Sequence, residues 1–106
     1  MSRNIIYFGL VLFSLTSCSS TPDKPEIHTV EIRDMKFIPE DITVKKGDTI
    51  LWINQDMVAH DVTEEDTKAW SSSLLPAGKS WKMEVNYESN YFCSIHAVMK
   101  GKIRME

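Results

Sequence analysis

The stretch Asp41–Asn54, DITVKKGDTILWIN, decides the fold class. Ile42 and Val44 alternate with Thr43 and Lys45, the period-two pattern of a strand with one buried face. Lys46-Gly47-Asp48 supplies a turn, and Thr49 to Asn54 forms an apolar strand containing Trp52. Two such strands joined by a short polar turn are a β-hairpin signal.

The same period extends outward. Upstream, IHTVEIR sets Ile27, Thr29 and Glu31 on one face and His28, Val30 and Ile32 on the other, and Pro39 breaks the run MKFIPEDI. Downstream, strands are expected around Val58 to Thr63, around Lys79 to Val85, at Tyr91-Phe92-Cys93 and at Lys102 to Met105, separated by LPAGKS and NYESN. No segment carries a sustained helical stripe; EEDTKAW supports a turn or short helix and nothing longer. The expected fold is all-β, an antiparallel Greek-key β-sandwich of about seven to eight strands.

Within 106 residues there is room for one domain, and 12 basic against 15 acidic groups leave no basic footprint for nucleic acid. Trp52, Trp70 and Trp81 are accordingly read as core or sheet residues, not as stacking platforms.

The N-terminus is an export signal: one Arg, an apolar run from Ile5 to Leu15, then small residues. That run is too short for a membrane-spanning helix, which takes about 20 residues. Leu15-Thr16-Ser17-Cys18 resembles the lipobox of bacterial lipoproteins, in which the Cys is acylated and becomes the first residue. The competing reading is a soluble secreted protein with an incidental Cys18. The expected division is a lipoprotein signal peptide at 1–17, a lipidated Cys and Ser/Pro-rich tether at 18–26, and the folded domain at 27–106. The expected location is the bacterial cell envelope, lipid-anchored and facing the periplasm or exterior. Two Cys in an exported chain first suggest a disulfide, but acylation of Cys18 leaves Cys93 as a lone thiol that something must use or shield.

Cys93, His96 and Met99 stand at C-x2-H-x2-M, and His60 lies 33 residues before the Cys. Thiolate, two imidazoles and a thioether make a donor set suited to copper, since blue-copper sites join two His and a Cys with a weak axial Met. Structural zinc sites usually bring pairs of Cys, and iron–sulfur clusters need more thiolates than this chain has. One copper ion cycling between Cu(II) and Cu(I) makes a one-electron carrier. In an extended strand Cys93 and His96 would face opposite sides, so the chain must turn after Cys93. Ser94 to Lys100 is read as the ligand loop, with Gly101 free to take positive φ before the final strand.

These residues resemble the cupredoxins, and among them the amicyanin branch of the plastocyanin-like proteins. The resemblance runs from about Val30 to Met105 through MKFIPEDITVKKGDTILWIN, then MVAHDV, then YFCSIHAVMKGKI. The short C-x2-H-x2-M loop points to amicyanins, because plastocyanins and pseudoazurins place their Met farther from the His. The resemblance implies that His60, Cys93, His96 and Met99 bind the copper.

Two positions depart from the family pattern. Asp61 stands where the family usually has an Asn that bonds across to the ligand loop; Ser94 could donate to Asp61 instead, and a buried carboxylate there would favour Cu(II). Ile95 stands where Pro is common and keeps an N–H that could reach the Cys93 sulfur and raise the potential. The two effects oppose each other, and the sequence does not rank them.

Around the site, Met57 is expected to join Ala97 and Val98 in an apolar collar at the edge of His96. Glu64-Glu65-Asp66, with Asp56 and Asp61, is read as a solvated loop in preference to a surface that steers a basic partner. His28 is read as a surface residue of the first strand. The implied function is a monomeric, envelope-anchored electron carrier, not an enzyme, exchanging electrons with a redox protein such as a c-type cytochrome or a dehydrogenase. The alternative is a periplasmic copper-binding protein for storage, delivery or resistance, though such proteins tend to use open Met-rich or His-rich sites. A domain of a larger copper enzyme is disfavoured, because no second set of copper ligands is visible.

Overall fold

Alternation becomes eight strands in the computed structural model, which describes Gly9 and residues 24–106. They are β1 (Ile27–Arg33), β2 (Lys36–Ile38), β3 (Asp41–Val44), β4 (Thr49–Asn54), β5 (Thr63–Glu64), β6 (Ser80–Glu84), β7 (Ser89–Cys93) and β8 (His96–Met105). Apart from Gly9, the residues expected to form the signal peptide lie outside the described residues, as does Cys18. Among the described residues there is no helix, and none long and apolar enough to cross a membrane.

The strands form two four-stranded sheets, ordered β2-β1-β4-β6 and β3-β8-β7-β5. The sandwich is as expected, but the pairing is not purely antiparallel. β1 runs parallel to β4, with Ile27 opposite Thr49, and β3 runs parallel to β8, with Asp41 opposite Lys102. The hairpin expected over 41–54 is therefore an arch: β3 lies in one sheet and β4 in the other.

The physical reason is the shared core. Ile42 and Val44 enter it from one sheet while Ile50 and Trp52 enter it from the other. A hairpin would have placed all four in a single sheet. The crossing at Lys45 to Asp48 is shaped by Gly47, whose φ of 92° few other residues adopt, and by Gly47 N–H donating to Val85 O at 2.7 Å.

Asp48 pins the start of the domain to this arch. Its carboxylate accepts the N–H groups of Glu26 and Lys45, each at 3.0 Å, and His28 Nε2 at 2.8 Å. His28 is thus a half-buried partner of Asp48, not the free surface residue expected. Its partner lies 20 positions away, so no local pattern announces it.

Trp52 is fully buried and stacks on Trp81 at 5.4 Å between ring centroids, while Tyr91 meets it edge-on at 5.5 Å. Tyr91 lies over Gly101, its partner in the β7–β8 ladder. A Cβ at position 101 would fall 2.2 Å from Tyr91 Cζ. Gly101 is there for that close approach; the positive-φ glycines of the described chain are Gly47 and Gly78.

Candidate metal centre

The strand expected over Val58 to Thr63 shrinks to Thr63–Glu64, because the residues before it send their N–H groups in three directions. His60 N–H reaches Leu75 O at 3.1 Å, Asp61 N–H reaches Cys93 Sγ at 3.4 Å, and Val62 N–H reaches Ser72 Oγ at 2.9 Å. An irregular segment satisfied this way turns the His60 ring inward beside the ligand-bearing strands.

On the other side, the expected seven-residue loop is a two-residue turn. Ser94-Ile95 joins β7 to a β8 that already begins at His96. Tyr91 pairs with Gly101 and Phe92 with Lys100, a register that would set Cys93 opposite Met99. Instead Cys93 pairs with His96, so the ladder slips between Phe92 and Cys93 and Ala97 to Met99 bulge on the β8 side. The turn after Cys93 that the spacing demanded is present, built as a bulged hairpin instead of an open loop.

These elements bring three donors together. His60 Nδ1 lies 3.1 Å from His96 Nδ1, and both lie 3.8 Å from Cys93 Sγ. A metal with bonds of about 2 Å in a trigonal plane sets its donors roughly 3.5 Å apart, so the triangle has the size of a coordination plane. His60, Cys93 and Met99 are buried, whereas His96 is half-buried. Two imidazoles, a thiolate and a buried thioether beside them fit copper, and the cofactor of this site is one copper ion.

The neighbours of the sulfur are well defined. Asp61 is buried, and its carboxylate accepts Ser94 N–H at 2.8 Å, the Ser94 hydroxyl, and Thr63 Oγ1–H at 3.0 Å. The N–H that reaches Cys93 Sγ is that of Asp61. Ile95 is half-exposed.

Sequence reading did not connect Asn54 and Asp56 to the site. Asn54 is fully buried at the end of β4; its Nδ2 donates to Val58 O and Leu75 O, both at 2.9 Å, and so holds the His60 segment against the sheet. The terminal Asn of the quoted strand motif was a signal for it. Asp56 Oδ2 meets His60 Nε2 at 2.8 Å, and no local pattern marks a carboxylate four residues before a His outside a helix.

The first acid of the run is spent inside the fold. Glu64 is buried and caps its own turn, accepting Thr67 N–H at 2.7 Å and Lys68 N–H at 2.8 Å. Burial alone would raise its pKa, but these backbone donors hold it below the ordinary carboxylate value. Asp56 and Asp61 serve the site, so the solvated-loop reading is corrected for Glu64, Asp56 and Asp61, while Glu65 pairs with Lys100 at the surface.

A two-sheet β-sandwich that gathers two His, one Cys and one Met at one end defines a small mononuclear copper protein. The chain belongs to the cupredoxin-like domain family, whose model matches residues 5–104. Its curated relatives include amicyanin from Paracoccus versutus, 26% identical over 83 residues that make up 73% of this chain and 63% of the relative. Amicyanin from Paracoccus denitrificans is 31% identical over 85 residues, again 73% of this chain and 63% of the relative. The chain thus spans about 63% of the length of these relatives. Among solved structures, the Cu(I) form of an amicyanin variant superposes with a TM-score of 0.70 at 26% identity, covering 76% of this chain and 82% of that one. A Cu-containing nitrite reductase from Thermus scotoductus gives the same TM-score of 0.70 at 26% identity, covering 78% of this chain but only 23% of the reductase. The expected resemblance to cupredoxins of the amicyanin branch is borne out.

Proposed function

We propose that this chain is a one-electron carrier of the cell envelope, a blue copper protein that exchanges electrons with a redox protein and catalyses no reaction itself. The observation that carries the reading is the triangle of His60 Nδ1, Cys93 Sγ and His96 Nδ1, with one imidazole fully buried and the other half-exposed. Bound copper supplies the Cu(II)/Cu(I) couple. The protein supplies a fixed donor set: His60 and Cys93 would hold the metal from the interior, Met99 would add a weak thioether donor, and His96 would be the route by which an electron leaves or enters.

Exposed apolar side chains flank the two His ligands in sequence. Met57, Val58, Ile95 and Val98 are all exposed, at 95%, 49%, 51% and 90%. Exposed apolar side chains at a metal-bearing end support brief docking of a partner such as a c-type cytochrome or a dehydrogenase.

Anchoring through acylated Cys18, with the domain facing the periplasm or exterior, is supported by Leu15-Thr16-Ser17-Cys18 and the tether that follows it. Changing Cys18 to Ala is expected to move the protein from the membrane fraction to the soluble fraction. The test of the carrier reading is optical: the copper-loaded protein is expected to be intensely blue when oxidised and to bleach and recover reversibly. A colourless protein that binds only Cu(I) refutes it in favour of copper storage or delivery.

A further inference from the structure

We propose that Asp56 is a positioning residue for His60, and that the Asp34-Met35 turn is its anchor, so that the ligand-free β1–β2 hairpin sets the orientation and proton of a metal ligand. The inference rests on the metal centre described above.

The hairpin closes between Arg33 and Lys36, which leaves Asp34 and Met35 as a two-residue turn. Their φ values are 53° and 59°, both in the left-handed region. Two-residue hairpin turns of this kind favour Asn-Gly or Gly-Gly, and Met in particular is out of place there. The turn has an external clamp: Asp56 Oδ1 accepts Asp34 N–H at 2.7 Å and Oδ2 accepts Met35 N–H at 3.0 Å.

The same Oδ2 lies 2.8 Å from His60 Nε2. Asp56 is itself held by its backbone N–H, which donates to Asn54 Oδ1 at 3.0 Å, and by Gln55 N–H, which continues the β1–β4 contact to Ile32 O at 2.8 Å.

An ionised carboxylate can only accept, so His60 Nε2 must carry the proton. The lone pair of the neutral ring is then on Nδ1, the atom that faces Cys93 and His96. The ring is fully buried, so this partner is not replaced by bulk water. A carboxylate behind a ligating imidazole fixes both its tautomer and its orientation. Here the carboxylate is in turn set by a backbone turn 22 positions away in sequence.

The test uses the full chain with Asp56→Ala and Asp56→Asn. Alanine removes all three bonds; the single amide oxygen of Asn can serve the Oδ1 or the Oδ2 position, but not both. Nitrogen NMR of metal-free protein is expected to show His60 as the Nε2–H tautomer, with the Nδ1–H form gaining population in Asp56→Ala. Copper affinity is expected to fall by about 10- to 100-fold in Asp56→Ala and by less in Asp56→Asn. Amide exchange at Asp34 and Met35 should accelerate while the global melt stays cooperative. A folded variant that keeps both the tautomer and the affinity overturns the proposal, and if Asp56→Ala does not fold, the same two readouts on Asp56→Asn decide it. Wild-type protein that binds no copper would sink the metal-centre reading instead, and the tautomer in metal-free protein would still judge Asp56.

Discussion

Asp61 and Cys93 are bound directly: the backbone N–H of Asp61 points at Cys93 Sγ from 3.4 Å, and the Asp61 carboxylate grips both polar hydrogens of Ser94, the residue after the Cys. The carboxylate is buried and accepts three donors, so its negative charge stands close to the thiolate in a region of weak screening. The N–H at the sulfur, expected of Ile95, is donated by the Asp61 backbone, so it is kept when the Asp61 side chain is changed. Asp61→Asn is therefore expected to raise the reduction potential while leaving the blue band nearly in place, because an amide can still accept Ser94 N–H. Voltammetry of the two copper-loaded proteins checks this; an equal or lower potential in the variant refutes the electrostatic account.

Cys93→Ser separates the metal from the fold. Cys93 is fully buried, and a serine oxygen in its place can still accept Asp61 N–H. The expected cost in stability is about 1 kcal/mol, in line with one altered buried hydrogen bond. The blue band should vanish, because no thiolate remains to bind Cu(II). A melt with full absorption retained would falsify the assignment of Cys93 as a ligand.

How much of this was legible depends on how local each feature is. Ile42, Val44, Ile50 and Trp52 announce two strands and a turn, yet nothing within the stretch says whether the strands share a sheet. That was decided by β1 and β8, which lie outside the stretch and offered better partners. Cys93, His96 and Met99 were readable because one short segment carries all three, and the structure sets two of them beside His60 with Met99 buried alongside. Asp56, His28 and Glu64 were not, because a carboxylate or imidazole looks solvated until the backbone that covers it has been placed.

Gly101→Ala tests the close approach in the second sheet. The added methyl would lie 2.2 to 2.6 Å from three atoms of the Tyr91 side chain, the ring atoms Cζ and Cε2 as well as the hydroxyl. Tyr91 is fully buried between Phe37 and Trp52, so it has no free space to retreat into. Overpacking of this kind costs about 1–3 kcal/mol, and each kcal/mol lowers Tm by roughly 4–8 °C in a domain of this size. Trimming the hydroxyl alone, with Tyr91→Phe, should not rescue the melt, because Cζ remains in the way. An unchanged Tm in Gly101→Ala would show that the β7–β8 ladder can shift to admit a side chain.

Acid should loosen the arch between β3 and β4 through Asp48. Its pKa is held at about 2 against an ordinary 3.8, chiefly by the N–H of Glu26, then by the His28 side chain and the N–H of Lys45. A carboxyl group whose folded pKa is depressed binds protons more readily in the unfolded chain, so its contribution to stability is fully present above pH 3.8 and fades as pH falls toward 2. Asp48→Asn removes that proton linkage and one acceptor of the pinning set. The variant is expected to be less stable than wild type at pH 7, and the gap should close as pH falls through this window. Chemical denaturation at stepped pH on metal-free protein measures both limbs. Parallel curves for the two proteins across that window would mean that Asp48 is not the group linking acid to the loss of the arch.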